Sequence, residues 1–383
     1  MKRISLFLLL FLLLKATVMY SQDGHPETNF RIVPVSPNAA SLGTYGLIPT
    51  DNYVGQARIS IPIYEIDLDG KKFPIALSYH TDGTRVAQEA TWIGLGWTLQ
   101  AGGCVVRQVQ GTDDFAARGC YNLTDAPWLT NPRFEVTDQN LEKYMGYFKG
   151  DYDAEPDMFY FNAGGHSGSM YFDVLKNNRQ LNAVPTIQTQ EKVVKMVYNT
   201  SNKTWTMTDL EGYVYSFSTK EITYYFLNTI DFFQTDITRS HIFPYYNEPQ
   251  IVTAWMLDSV TSPNGGKITF SYKKESIFTP ISTTEDVISL SKIVNGQLSS
   301  QSPQYFTNKF NYNYSYSKIE QWTLSAITFE GGKVEFGTTD REDIESAETG
   351  KKVQKLSSIK VSDTAGNLIK TTMLEYKYLL SGM

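Results

Sequence analysis

From Arg58 onward the dominant pattern along the chain is alternation with a period of two. Ile59, Ile61 and Ile63 alternate with smaller or polar residues, Pro62 marks an edge or a bulge, and Ile66 and Leu68 resume in the opposite phase. That is a strand with a phase slip. Asp69-Gly70 supplies a tight turn and Phe73, Ile75, Leu77 and Tyr79 alternate cleanly, so residues 58–80 are predicted to form a hairpin. Phe159 and Phe161 before Gly164-Gly165, with Met170 and Phe172 after it, predict a second hairpin. Trp92-Ile-Gly-Leu-Gly-Trp97 and Gly102-Gly103 read as a packed turn between strands. A dinucleotide loop fails there, because its third glycine position is Leu99 and no helical pattern follows. Helical spacing is confined to residues 138–148, where Leu141, Tyr144, Met145 and Phe148 fall at i, i+3, i+4 and i+7. Residues 22–50, rich in Pro, Asn, Gly and Ser without a period, read as an extended lead-in.

The alternation also recurs at a larger scale. A strand, an acidic or glycine turn and a returning strand appear over residues 205–217, opened by Trp205 and turning at Gly212. Residues 255–270 repeat the idea with Trp255, Leu257, Val260, Gly265-Gly266 and Ile268, and residues 322–336 repeat that almost position for position with Trp322, Leu324, Ile327, Gly331-Gly332 and Val334. A fourth copy without the tryptophan runs over 356–369 through Leu356, Ile359 and Gly366. A lone two-stranded hairpin is barely stable in water, so these copies must stack or close into a larger sheet. Chance likeness among hairpins of a β-sandwich is the alternative. The expected fold is mainly β: an antiparallel β-sandwich-like domain over residues 51–250, then stacked β-hairpin repeats over 251–383 that finish inside a β pattern.

The first 21 residues stand apart. Lys2 and Arg3 precede an apolar run from Ile4 to Leu14, Lys15 interrupts it, and a short segment closes at Ser21 before Gln22. This is the pattern of a secretory signal peptide, and the run is well short of the roughly 20 residues that a spanning helix needs. An exported protein is expected, in the periplasm, at the cell surface or outside the cell, with no membrane span after cleavage. Composition agrees with a folded chain: 41% of the 383 residues are hydrophobic and 14% aromatic, with 25 Tyr and 21 Phe favouring strands. Cleavage removes Lys2, Arg3 and Lys15 and no acid, leaving 31 basic against 40 acidic residues. With no basic stripe, nucleic acid is excluded as a partner.

Candidate chemistry is sparse. Asp151, Asp153, Glu155 and Asp157 alternate as calcium ligands might, but an EF-hand loop fails because Pro156 holds the position that needs glycine and Asn162 the position that needs glutamate. A non-EF calcium site and a solvated acidic strand edge both remain open. His166-Ser167 lies between glycines, yet a nucleophile elbow needs glycine where Ser169 stands, and strand–turn–strand is the wrong context. His25, His80, His166 and His241 show no zinc spacing. No catalytic, cofactor or metal residue is assigned, and no cofactor is expected. Trp92, Trp97 and Trp128 with the tyrosines would suit stacking on sugar rings if exposed, or a core if buried. Cys104 and Cys120 are open to pairing across a short loop or to separate burial as thiols.

Taken together, Ser36-Pro37-Asn38-Ala39-Ala40-Ser41-Leu42-Gly43, Ile59-Ser-Ile-Pro-Ile63, Pro74-Ile-Ala-Leu-Ser-Tyr79-His80, the Trp92–Trp97 segment with Gly102-Gly103, and Glu155-Pro156-Asp157-Met-Phe159 with Ser167-Gly168 closely resemble the N-terminal region of exported bacterial proteins of the Rhs/YD-repeat family. The resemblance covers most of residues 35–275. It implies a β-rich region that precedes an array of YD repeats forming a hollow cage around a variable effector, often a toxin. This chain carries only the echo Asp363-Thr-Ala-Gly366-Asn367-Leu368, with no tandem repeats, autoproteolytic core motif or effector, so it resembles a truncated or split N-terminal piece. The expected role is a non-catalytic structural module that docks a repeat shell or its own downstream segment through a strand edge. A carbohydrate-binding module and a glycan-acting hydrolase are the alternatives.

Overall fold

The structure, a computed structural model, describes residues 35–39, 58–80, 88–111, 113–116, 119–120, 153, 155–173, 185–188, 194–233, 250–280, 282–289, 293–294, 297–298 and 308–378. The signal segment, the helical spacing over 138–148, Trp128 and Asp151 lie outside these residues. Apart from a single helical turn over residues 37–39, the regular structure described is strand.

Strands β1 (Arg58–Leu68), β2 (Lys71–His80) and β3 (Trp97–Gln100) make a three-stranded antiparallel sheet. The predicted phase slip is a bulge: Pro62 pairs with Ala76 and Tyr64 with Ile75, leaving Ile63 as the extra residue. That bulge turns Ile63 and Ile66 into the core from opposite parities of one strand.

The large sheet has fourteen strands. One end holds β4 (Gly103–Gln108), β5 (Met158–Ala163), β6 (His166–Tyr171) and the short β7 (Thr186–Ile187), paired in succession. β8 (Val194–Asn199) and β9 (Thr204–Asp209) lead into the long β10 (Val214–Phe233), which pairs with β11 (Gln250–Thr261). β11 also pairs with β4, so the sheet runs unbroken through position 250. β12 (Lys267–Phe278) and β13 (Ser282–Ser289) lie on β16 (Asn308–Phe329), while β14 (Ile293–Val294) and β15 (Gln297–Leu298) form a separate small pair. β16, β17 (Gly332–Asp340), β18 (Gln354–Ser362) and β19 (Leu368–Met373) then meander to the other end.

All four repeated hairpins are present, as β9–β10, β11–β12, β16–β17 and β18–β19. Equivalent positions point the same way: Leu257 and Val260, Leu324 and Ile327, and Leu356 and Ile359 are all buried. Trp255 and Trp322 each donate an indole N–H to a main-chain oxygen of the preceding segment, Lys203 O at 2.8 Å and Lys220 O at 2.7 Å. Trp255 therefore fills the core and Trp322 packs half-buried against it, and each indole ties two neighbours together. At the β16–β17 turn only glycine fits, since Gly332 has φ +150° and a Cβ there would lie 2.1 Å from Ser362 O.

The two sheets share one core. Ile63, Ile66, Leu68, Ile75 and Leu77 of the small sheet join Val260, Ile268, Ile327 and Phe336 of the large one. A second focus lies toward β5 and β9, where Phe159, Phe172, Tyr198, Trp205 and Trp255 stack within 4.8–6.2 Å between ring centroids. The two cysteines are buried in different clusters and form no disulfide, Cys104 beside Ala39 and Met256 and Cys120 in the shared core, so separate burial is the outcome of the open cysteine question.

Trp205 is 1% exposed, and its indole N–H has no hydrogen-bond partner among the described residues. Its contribution is therefore ring packing. Trp205→Ala should lower unfolding free energy by about 3–5 kcal/mol, as large aromatic deletions in cores do. Trp205→Phe removes the unsatisfied donor along with part of the ring and should cost less than half as much. Urea denaturation of the two variants checks this; equal losses would mean the indole nitrogen matters.

Candidate functional site

Within the acidic run, Asp157 is committed to an internal ion pair. Asp157 is fully buried and receives Arg107 Nε at 2.8 Å, the N–H of Gln110 at 2.7 Å and that of Asp114 at 3.2 Å. Arg107, 1% exposed, also donates to Asp113 and lies 4.9 Å from the Phe115 ring centre. The internal cation is thus a guanidinium already paired to the carboxylate that calcium would need, and no metal-ligating group of three or more occurs among the described residues. The motif serves to pin the loop after β4 to the start of β5.

Asp114 completes that pin. Its Oδ2 accepts the Asp157 N–H at 2.8 Å, while Oδ1 is buried without a partner. Burial, then the charge of Asp157, push its pKa up to about 8, and burial raises Asp157 as well. One proton is therefore held within the pair at neutral pH.

His166 and Ser167 open strand β6 and are neighbours in sequence, not partners. Ser167 is exposed, and His166 points the other way, its Nε2 3.8 Å from Asp209 Oδ2. Asp209 is the hub there. It accepts Lys71 Nζ at 2.5 Å, the Tyr213 N–H at 2.9 Å and the Tyr215 hydroxyl at 3.1 Å. Burial works to raise its pKa, but the Lys71 ammonium and these donors outweigh it and hold the carboxylate low. Lys71 also meets Glu211 at 3.0 Å and sits 4.9 Å over the Tyr213 ring. This set clamps the β1–β2 turn to the β9–β10 turn, and neither Lys71 nor Asp209 was recognisable as its centre in the sequence: they lie 138 residues apart.

Of the tryptophans, Trp92, Trp205 and Trp255 are buried in the core, while Trp97, tilted against Tyr79 at 5.2 Å, and Trp322 are half-buried. The lead-in motif is internal too: Ser36 donates its N–H to Glu221 at 2.9 Å and its hydroxyl to the other carboxylate oxygen, and Asn38 Oδ1 accepts the Trp92 N–H at 2.9 Å.

What remains open is a sheet edge. Among the described residues β19 pairs only with β18, and there the large sheet stops. The Leu374 N–H reaches Ser357 O at 2.9 Å, so by strand alternation the N–H and C=O of Thr371 and Met373 face away from β18. Leu368 is 63%, Ile369 56% and Met373 68% exposed, whereas the returning strands of the earlier copies bury Ile268 and Val334. The neighbouring outer strand β1 is blunted by Pro62 and its bulge, and the bulge carbonyl of Ile63 is capped by Lys370 Nζ at 2.9 Å. β19 itself has no proline.

No family model and no curated protein matches the chain. Solved structures similar to it include a crystal structure of TcdB2-TccC3-Cdc42, with 11% identity and a TM-score of 0.35, and a Photorhabdus luminescens Tc holotoxin pore carrying a TccC3 mutation, with 10% and 0.33. Each comparison covers 84% of this chain and 14% of the other, and at these values the likeness carries no functional weight. No helix among the described residues is long and apolar enough to cross a membrane.

The Asp114 proton sets a pH dependence. Its carboxyl ionises near 4 when unfolded and near 8 when folded, so its own contribution to stability is fully present below the lower value and is lost as pH rises between them. The slope is at most about 1.4 kcal/mol per pH unit. Asp114→Asn keeps the acceptor for the Asp157 N–H and should flatten this decline between pH 5 and pH 8 in urea titrations. An unchanged slope would place the proton elsewhere.

Proposed function

We propose that this chain is an exported, non-catalytic β scaffold of the Rhs/YD-repeat kind whose β19 edge accepts a further β-hairpin of the same repeat. That hairpin belongs either to a repeat shell or to a downstream segment. The observation that carries the reading is the break in burial at the last copy: three of the seven large apolar side chains exposed among the described residues sit on six-residue β19. An incoming strand would take up the outward donors of Thr371 and acceptors of Met373 and cover Ile369, which is strand addition. The absence of catalysis is part of the proposal. It rests on the engagement of the polar candidates in internal pairs: Asp157 with Arg107, and Asp209 with Lys71.

The docking reading is tested by extending the chain past Met383 with a flexible linker and a copy of residues 322–336. The extended protein should melt higher, at about 1–2 °C per kcal/mol gained in a chain of this size. Thr371→Pro removes one outward N–H and leaves the β18 ladder intact, so it should abolish the gain while barely moving the melting point of the unextended chain. An extension that gives no gain, or a gain that survives Thr371→Pro, contradicts strand addition at this edge. Export has its own test: expressed with its first 21 residues in a bacterium, the protein should be recovered outside the cytoplasm with Gln22 as its first residue. Cytoplasmic retention of a chain beginning at Met1 would contradict it.

A further inference from the structure

Between the two sheets lies a cavity of about 220 Å³. Its roof is Ile66, Phe73 and Ile75 of the small sheet, and its floor is Ile268, Phe270 and Ile327 of the large one. The end wall is backbone from two glycine pairs, Gly102-Gly103 and Gly164-Gly165, and the polar part of the lining is Thr98 and Gln100 of β3 with Asn162 of β5. The space is partly open to solvent, and a hollow of this size stands out between sheets that otherwise share a close-packed core. It exceeds the roughly 150 Å³ apolar cavity known to stay dry and to take up benzene.

Its chemistry narrows the occupant. None of the lining residues is Asp, Glu, Lys or Arg, so a charged ligand would be buried without compensation. Isoleucine and phenylalanine faces above and below suit a flat apolar body, and the amides and hydroxyl suit one hydrogen-bonding group on its rim. The glycines let the backbone of the end wall pack closely against its neighbours. Gly164 has φ +60°, and a Cβ there would press on the Tyr215 hydroxyl at 2.2 Å, so a side chain cannot be accommodated at that point of the wall.

We propose that this inter-sheet cavity is a binding site for a neutral bicyclic aromatic molecule of about the size of indole. The site is independent of β19. Calorimetry and ligand-observed NMR with indole as the probe should show saturable one-to-one binding to the full chain, and indole-3-carboxylate at pH 7 should bind at least tenfold more weakly. Ala101 lines the cavity, and Ala101→Leu, which fills it, should weaken indole at least tenfold without lowering the melting point by more than a few degrees. Thr371→Pro should leave indole binding unchanged, which separates this site from the docking edge. No saturable binding of indole to the natural chain, equal binding of the carboxylate, or unchanged binding by a folded Ala101→Leu protein would each overturn the proposal.

Discussion

Main-chain hydrogen bonding at strand edges is the constraint on which the rest of this structure depends. A hairpin satisfies one side of each of its strands and leaves the other side bare, so every hairpin added to the sheet moves the problem one strand outward. Here the sequence of pairings β16, β17, β18, β19 passes that debt along the chain, and the last strand holds it with three large apolar side chains in water. β1, at the edge of the other sheet, ends its own series differently, with a proline, a bulge and a lysine capping the spare carbonyl.

Polar side chains among the described residues close the frame. Lys71 and Asp209 join the turn of the small sheet to a turn of the large one, and the Tyr213 hydroxyl reaches back to Leu68 O at 3.0 Å. Arg107 of β4 pairs with Asp157 at the entry to β5, which also holds the loop after β4 through Gln110 and Asp114. Ser36 and Glu221 seat the lead-in against β10; burial raises the Glu221 pKa, and the bonds from Ser36 and Thr253 work against it. Each pair is buried on at least one side, and loss of either partner strands the other in the interior.

Much of the fold was legible in the sequence because hairpin signals are local. The alternation of Phe73, Ile75 and Leu77, the Asp69-Gly70 turn and the Trp–Leu–Gly–Gly spacing of the repeats each specify a strand pair without reference to the rest of the chain. The phase slip at Pro62 correctly marked the bulge. The polar sites were not legible, because their members are far apart: Ser36 meets Glu221 across 185 residues and Arg107 meets Asp157 across 50. The same distance explains why the acids around Asp157 suggested calcium: sequence showed the carboxylates and not the guanidinium that neutralises them. The inter-sheet cavity is assembled from strands of both sheets and has no local signature at all.

The central claim is that β19 is an unpaired edge ready for another strand, and residue-resolved hydrogen exchange on the unmodified chain tests it most directly. Amides of β18 and the inward-facing N–H of Thr372 should be protected to near the global unfolding limit, while those of Thr371 and Met373 should exchange close to the rate of an unstructured peptide. Strong protection at Thr371 and Met373 in the isolated chain would contradict the account, since it would mean that the edge is already covered.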